Sequence, residues 1–224
     1  MVTAPAPVRA PSRGRVDKRV AILEAAVRVF ARQGYADASV DDIAAEAGVA
    51  KPTVYNHLGD KANLFRTVLS EIAADQNAKN LAALAALPTQ LDDPADLRPA
   101  LEQLGEDLLS CMASENYWAI QRLLVAEITR FPDLVALWHK VGPEVVADAL
   151  AGRLARLAHA GYLTLDDPLR AAGQFVALIS YDLPSHSVLG TQPFNPAVRT
   201  RTIKTGVETF LRAFAAQPVT RQPE

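Results

Sequence analysis

The stretch "SVDDIAAEAGVAKPTVYNHLGDK", residues Ser39 to Lys61, contains two short helical patterns separated by a glycine. In the second pattern, "KPTVYNHL", the apolar Val54 and Leu58 lie about 40° apart on a helical wheel, and Asn56 lies about 180° from their midpoint. Pro52 and Thr53 flank Asn56. The pattern predicts a short helix with one buried apolar edge and, opposite to it, a narrow polar ridge formed by Pro52, Thr53 and Asn56.

The first pattern, "SVDDIAAEAGVA", predicts a helix that supports the ridge. The Ser39 hydroxyl can accept a hydrogen bond from a free amide of the first turn, while Asp42 reaches back to the amide of Ser39. Asp41 and Asp42 suit the positive end of the helix dipole. Gly48 is placed to turn the chain, and Val49 to fill the space between the two helices. Together the patterns predict a helix-turn-helix.

A ridge of this shape fits the major groove of DNA, where base edges lie along the centre and phosphates along both walls. We expect Asn56 to read an adenine edge and Thr53 to meet a thymine methyl group or a phosphate. Tyr55 and His57, about 100° to either side of Asn56, can donate to phosphates. Lys61 adds a cation. The alternative is that these residues form only a solvated polar face.

A basic cluster leads into the first helix, where a mobile arm is predicted to meet phosphates or a minor groove. Its members are Arg9, Arg13, Arg15, Lys18 and Arg19. Residues 1–61 carry nine Lys or Arg against seven Asp or Glu, whereas the chain as a whole has a net charge of −2. This asymmetry is compatible with an N-terminal segment that contacts nucleic acid.

The remaining sequence predicts an all-α fold, because apolar residues recur every three or four positions and no stretch alternates with period two. We predict helices from Val16 to Gln33, with Gly34 in a left-handed conformation at its end, from Ser39 to Gly48, over the ridge, and from Lys61 to Leu87. After the linker "PTQLDDPADLRP", the helices are predicted at 95–113, 115–130, 133–141, 143–160, 167–189 and 196–215.

Several function classes lack sequence support. There is no apolar run long enough to span a membrane and no secretion signal, and the chain is expected to be cytoplasmic. The single Cys111 excludes an internal disulfide. The four histidines lack metal-ligand spacing and no catalytic motif occurs, so the sequence predicts no cofactor, no metal and no enzyme activity.

The segment "ILEAAVRVFARQGYADASVDDIAAEAGVAKPTVYNHLGDKANLF" resembles the three-helix DNA-binding domain of the TetR family of bacterial transcriptional regulators. The resemblance implies that Tyr55, His57 and Lys61 contact phosphates and that Ser39 both caps and contacts phosphate. It places Lys51, Pro52, Thr53 and Asn56 at base-reading or groove-facing positions. In three departures, Ala50 stands where a capping Ser or Thr is frequent, Asn56 replaces an aromatic residue, and Leu58 replaces a Phe.

Residues 122–175 resemble the C-terminal half of AcrR-type and AefR-like members. This resemblance implies a helical domain that binds apolar or amphiphilic small molecules and forms a homodimer. The last two long helices carry broad apolar faces, which favour burial against a second subunit as well as within the protomer. These residues are Phe175, Val176, Ile179, Ile203, Val207, Phe210, Leu211 and Phe214.

Polar-tipped and soft side chains in the C-terminal half are candidates for a ligand pocket, although each is also compatible with plain core or surface. The candidates are Met112, Tyr117, Trp118, Arg122, Trp138, Phe175 and Tyr181, with His139 and His186 as further members. Arg122 and Glu127 are too far apart on the wheel to pair with each other. Cys111 suits the core, with redox sensing as the alternative.

The sequence therefore predicts a ligand-responsive DNA-binding repressor that a small apolar or amphiphilic molecule releases from a palindromic operator. We expect a basic tail at 1–14, a helix-turn-helix domain at 15–61, a ligand-binding and dimerisation domain at 62–216, and a tail at 217–224. Ligand is expected to shift the long helix that starts at Lys61. The alternative is a ligand-blind DNA-binding or protein-interaction module on the same scaffold.

Overall fold

The computed structural model describes residues 13–216, with side chains from Asp17 onward. These residues form eleven α-helices and no strand, which confirms the predicted all-α fold. The helices are α1 (Arg13–Asp37), α2 (Val40–Glu46), α3 (Lys51–Leu58), α4 (Lys61–Ala86), α5 (Leu97–Met112), α6 (Glu115–Glu127), α7 (Pro132–Val141), α8 (Pro143–His159), α9 (Pro168–Ser180), α10 (Leu183–His186) and α11 (Pro196–Phe214). The predicted tails at 1–14 and 217–224 lie outside the described residues, except that Arg13 and Gly14 begin α1.

The chain divides into two compact units after Leu69. In the N-terminal unit, α1 to α3 and the start of α4 enclose a core with an aromatic cluster. The ring centroids of Phe30 and Phe65 lie 4.9 Å apart in an edge-to-face arrangement, and those of Tyr35 and Phe65 lie 4.8 Å apart. Aromatic pairs in these geometries add to the burial of apolar area. The long part of α1 thus ends at the core of this unit, at Phe30, Gly34 and Tyr35.

Helix α1 is interrupted at Gly34, where φ is +80° and ψ is 170°. The predicted positive φ is present, but ψ is extended rather than left-handed helical, and one further helical turn runs to Asp37. Helix α1 begins at Arg13, three residues before the predicted start at Val16, although Gly14 has a low helix propensity. Arg28 and Arg32 on α1 bind Glu46 on α2 at 2.9 and 3.4 Å. The hydrogen bond from Arg28 lowers the pKa of Glu46.

In the C-terminal unit, α9 packs against both α8 and α11, and α11 also packs against α5. The core includes Leu101, Leu154, Phe175 and Phe210, all fully buried. Phe175, Ile179, Ile203, Val207 and Phe210, which were expected to serve a subunit interface as well, are fully buried within the protomer. Val176, Leu211 and Phe214 of the same faces are only half-buried, so the core of a single chain accounts for most but not all of the breadth of these faces.

Five of the six helices predicted after the linker are confirmed to within three residues at each end. The predicted helix at 167–189 was wrong, because the chain forms α9 and the short α10 instead. Pro184 explains the break, since it has no amide to donate to Ser180 and its ring clashes with that carbonyl in a continuous helix.

Candidate functional site

The helix-turn-helix begins with the predicted capping box. The amide of Asp42 donates to the Ser39 hydroxyl at 3.0 Å, and the amide of Ser39 donates to the Asp42 carboxylate at 3.3 Å. At the other end of α2, the amide of Val49 donates to Ala44 and that of Gly48 to Ala45, with φ of +64° at Gly48. These two bonds define a Schellman motif. Gly48 turns the chain as predicted, and Val49 is half-buried at the turn.

Helix α3 has the predicted orientation within the N-terminal unit. Val54 and Leu58 are 0% and 4% exposed, whereas Asn56 is exposed and Tyr55 is 47% exposed. The other predicted members of this surface are accessible to different degrees: Lys51 and Pro52 are exposed, and Thr53 and His57 are half-exposed. The ridge therefore faces outward with its full set of hydrogen-bonding groups. Ala50 occupies the N-cap position of α3 without a side-chain hydrogen bond.

Two lysines beside the ridge are held by neighbours. The Lys51 ammonium lies 2.8 Å from the Asp41 carboxylate, and the hydrogen bond to Asp41 raises the pKa of Lys51. The Lys61 ammonium donates to the carbonyl of Ala36 at 2.9 Å and lies 4.8 Å from the ring centroid of Tyr35. Both cations are thereby oriented, and a phosphate would compete with Asp41 for Lys51.

The predicted basic arm differs from the observed chain. Arg13, Arg15 and Lys18 belong to the first turns of α1 rather than to a mobile segment. Lys18 is exposed there. The side chains of Arg13 and Arg15, and the whole of Arg9, lie outside the described residues.

The C-terminal unit contains a cavity of about 240 Å³ between α4, α5, α6, α7, α8 and α9. Of the seven predicted ligand residues, Met112, Tyr117 and Trp138 line this cavity. The full lining comprises Ala73, Gln76, Asn77, Asn80, Leu108, Cys111, Met112, Tyr117, Trp138, Gly142, Pro143, Val146, Ala147, Gly173 and Val176.

The other four predicted ligand residues lie elsewhere. Trp118 packs against the backbone at Gly190, Arg122 donates to the carbonyl of Leu189 at 2.7 Å, and Phe175 packs edge-to-face on Phe210 in the core. Tyr181 is 81% exposed. Side-chain type alone predicted these residues, but none of the four lines the cavity. His139 and His186 are exposed as well.

Sequence reasoning missed the polar residues that α4 contributes to the cavity. Gln76 donates to the Ser114 hydroxyl at 2.8 Å, and Asn77 donates to the carbonyl of Val141 at 2.7 Å. A signal was available, because Ala73, Gln76, Asn77 and Asn80 recur at helical spacing on one face of α4. Amides on a face that is otherwise suited to packing indicate a polar feature in the interior.

Burial alters the titrating groups of the cavity. It raises the pKa of the Tyr117 phenol and also that of the Cys111 thiol, since each charged form would be poorly solvated. Cys111 is half-buried, so it forms part of the cavity wall rather than the sealed core. Its thiol is held in the neutral form, which is the less reactive one.

Within residues 13–216, no three or more His, Cys, Asp or Glu residues are arranged to hold a metal ion. None of the helices in the described part of the chain is long and apolar enough to cross a bilayer.

Comparison with protein families gives two matches. Residues 22–68 match the model described as bacterial regulatory proteins, tetR family, and residues 99–216 match the AefR-like transcriptional repressor C-terminal domain. The second match alone covers more than half of the chain.

Curated relatives carry regulator names. The chain is 29% identical over 153 residues to the transcriptional repressor AcnR of Corynebacterium diphtheriae, covering 68% of this chain and 71% of AcnR. It is 38% identical over 90 residues to the transcriptional activator FasR of Mycolicibacterium smegmatis. That match spans only 39% of the length of FasR.

Solved structures share the fold. A TetR-family regulator from Mesorhizobium loti is 26% identical with a TM-score of 0.79, and the match covers 92% of this chain and all of that one. The flavonoid-responsive regulator FrrA is 30% identical with a TM-score of 0.72, over 90% of this chain and 98% of FrrA.

Proposed function

We propose, on the premise that this chain belongs to the TetR family of DNA-binding transcriptional regulators and is not an enzyme, that it is a dimeric repressor released from a palindromic operator by a small apolar or amphiphilic molecule. The observation that carries the ligand response is the cavity in the C-terminal unit, which combines apolar walls with a few polar groups. Binding sites for small molecules have this composition.

The DNA-reading surface is the exposed side of α3. In this proposal, Asn56 reads an adenine edge, Thr53 meets a thymine methyl group or a phosphate, and Lys51 and Pro52 lie in the groove. Tyr55, His57 and Lys61 contact phosphates. The exposure of Asn56 and Tyr55 supports this assignment. Ser39 contributes a phosphate contact in addition to its cap, and Arg13, Arg15 and Lys18 add charge at the start of α1.

The subunit interface is assigned to α9 and α11. Their outward surface carries Ala177, Tyr181, Thr205 and Thr209, all exposed in the single chain. A dimer is also favoured by binding energetics, because one short ridge offers few contacts, whereas two half-sites at a fixed spacing double them. The expected operator is a palindrome for the same reason.

The signal passes through α4 in this proposal. The helix starts at Lys61 in the N-terminal unit, and further along its length Ala73, Gln76, Asn77 and Asn80 line the cavity. A ligand that prefers one position of α4 would move the start of the helix and change the spacing of the two ridges. Only a difference in ligand affinity between the two positions of α4 can shift the equilibrium between them.

Selection from a random pool of DNA duplexes, followed by affinity measurements with and without candidate molecules, tests the proposal. A palindromic consensus is expected, together with a coupling free energy of about 1–3 kcal/mol between ligand and operator. A reporter gene under the recovered operator should be repressed until ligand is added. A molecule that binds the cavity tightly without changing operator affinity would favour the ligand-blind alternative.

A further inference from the structure

The walls of the cavity are uncharged. Its fifteen lining residues include no Asp, Glu, Lys, Arg or His, and its polar members are amides, a thiol, a phenol and an indole. The charged groups that act electrostatically on Cys111 in this wall are Lys79, Asp107 and Asp75, none of which lines the cavity. Lys79 binds Asp75 at 2.7 Å on the exposed side of α4, which leaves its charge compensated. A charged ligand would therefore lose its hydration without gaining an ionic partner.

Two residues of the wall each carry one buried polar atom that lacks a hydrogen-bond partner among the described residues. These atoms are the indole Nε1 of Trp138 and the amide Oδ1 of Asn80. Trp138 is 2% exposed, so bulk water does not reach most of its ring. The neighbouring amides of Gln76 and Asn77 are already engaged by Ser114 and Val141. A buried polar atom without a partner is costly, and a ligand that supplies the missing partner removes that cost.

We infer that the cavity selects an uncharged, largely apolar molecule that accepts a hydrogen bond from Trp138 Nε1 and donates one to Asn80 Oδ1, and that it rejects carboxylates and ammonium compounds of the same size. This inference rests on the proposed function, since it concerns the ligand of the same cavity. It narrows the ligand from apolar or amphiphilic molecules to neutral molecules with one acceptor and one donor.

Four probes that share one naphthalene ring test the inference by titration calorimetry on the full chain without DNA. They are naphthalene, 1-naphthamide, its anionic isostere 1-naphthoate, and the cation 1-naphthylmethylammonium. At neutral pH, 1-naphthamide should bind at least tenfold more tightly than either ion. Equal or tighter binding of an ion would overturn the inference, and so would the failure of all four probes to bind.

Two tryptophan variants identify the hydrogen bond. Trp138→Phe keeps an aromatic ring but removes the donor, and it should weaken 1-naphthamide about fivefold relative to naphthalene. Trp118→Phe is the matched control, because Trp118 is also buried with an unpartnered Nε1 but packs against Gly190. It should leave the affinity unchanged. Equal losses in both variants would contradict the assignment.

Asn80→Ala provides a second test that does not alter an aromatic ring. It should reduce the preference for 1-naphthamide over naphthalene, and an unchanged preference would contradict the role of Asn80. Operator affinity is measured separately for the same probes. If 1-naphthamide binds as expected but leaves operator affinity unchanged, the inference on ligand chemistry stands and the proposed ligand response fails.

Discussion

Asn56 and Lys61 differ in the contacts that their side chains make. Asn56 is exposed at the centre of the ridge, whereas Lys61 is tied to Ala36 and to the ring of Tyr35. An amide in this position can distinguish bases, because base edges differ in their donors and acceptors. An ammonium group interacts with phosphate, which is the same in every sequence.

Asn56→Ala should cost about 1–3 kcal/mol of binding free energy at one base position and relax the preference there. Lys61→Ala should weaken binding to all sequences alike and lower the slope of log affinity against log salt by about one. Both are measured by fluorescence anisotropy on a set of single-base operator variants over a range of salt. Identical behaviour of the two variants across sequences would contradict the division into ridge and phosphate contacts.

Cys111 should react slowly with iodoacetamide at neutral pH, because burial raises the pKa of its thiol and only the thiolate is nucleophilic. The rate should continue to increase with pH beyond the range where an exposed cysteine levels off. As the only cysteine in the chain, it can be followed by mass spectrometry of the intact protein. Rapid alkylation at neutral pH would instead support a redox-sensing role.

At the level of elements, α2 depends on its cap and the loop after α10 depends on a glycine. Ser39 and Asp42 satisfy amides at the first turn of α2, which is only seven residues long. A helix this short gains little from propagation, so its ends contribute much of its stability.

In the loop after α10, Val188, Leu189 and Gly190 have positive φ values of 48°, 53° and 77°.

Ser39→Ala should lower the free energy of unfolding by about 1 kcal/mol, because the first turn of α2 loses its side-chain acceptor. Ser39→Asn is the control, since asparagine is a good N-cap and should restore most of the loss. Urea denaturation followed by circular dichroism measures both. Equal stability of the alanine variant and the natural chain would show that the capping box contributes little.

Gly190→Ala and Gly161→Ala form a matched pair. An added Cβ at Gly190 would lie 2.1 Å from Cγ of Trp118, whereas at Gly161, with φ of +84°, it would meet nothing within 4 Å. Gly161→Ala should cost about 1–2 kcal/mol from backbone conformation alone. Gly190→Ala should cost about 1–3 kcal/mol more, because the overpacked indole must shift. Thermal unfolding measures the stability of both variants. A Gly161→Ala variant that is less stable than Gly190→Ala would contradict the expected order.

On the scale of the whole molecule, the surfaces of α9 and α11 that remain exposed are the proposed subunit interface. Most of their large apolar residues are buried in the single chain, although Leu169 is exposed and Val176, Leu211 and Phe214 are half-buried. An interface would combine these with the small and polar residues that remain outside. Exposed Ala177 and Tyr181 on and after α9, and Thr205 and Thr209 on α11, are compatible with close helix packing. Ala177 supplies an exposed methyl group on α9.

Ala177→Glu should convert the proposed dimer to a monomer, because it places two like charges in the proposed interface. Ala126→Glu, on the exposed side of α6, is the matched control and should leave the mass unchanged. Sedimentation velocity measures the mass, and the monomeric variant should also lose its preference for a palindrome over a half-site. A dimer that persists in Ala177→Glu would place the interface elsewhere.

Local interactions made much of the N-terminal unit predictable. The cap at Ser39, the turn at Gly48 and the buried edge of Val54 and Leu58 all follow from contacts within a few residues, because a helix brings neighbours at spacings of three and four together. The break after α9 also has a local cause, Pro184, but the apolar pattern of residues 167–189 favoured one continuous helix.

The cavity and the partners of the charged residues depended on the folded chain. Side-chain type alone could not distinguish Tyr117 in the cavity wall from exposed Tyr181, nor assign Asp41 to Lys51. A residue's place in the cavity depends on which faces of helices distant in sequence meet, and periodicity within one helix contains no information about the neighbour opposite. The chain therefore encodes its helices and ridge in short segments, whereas the lining of its cavity arises from the packing of six helices.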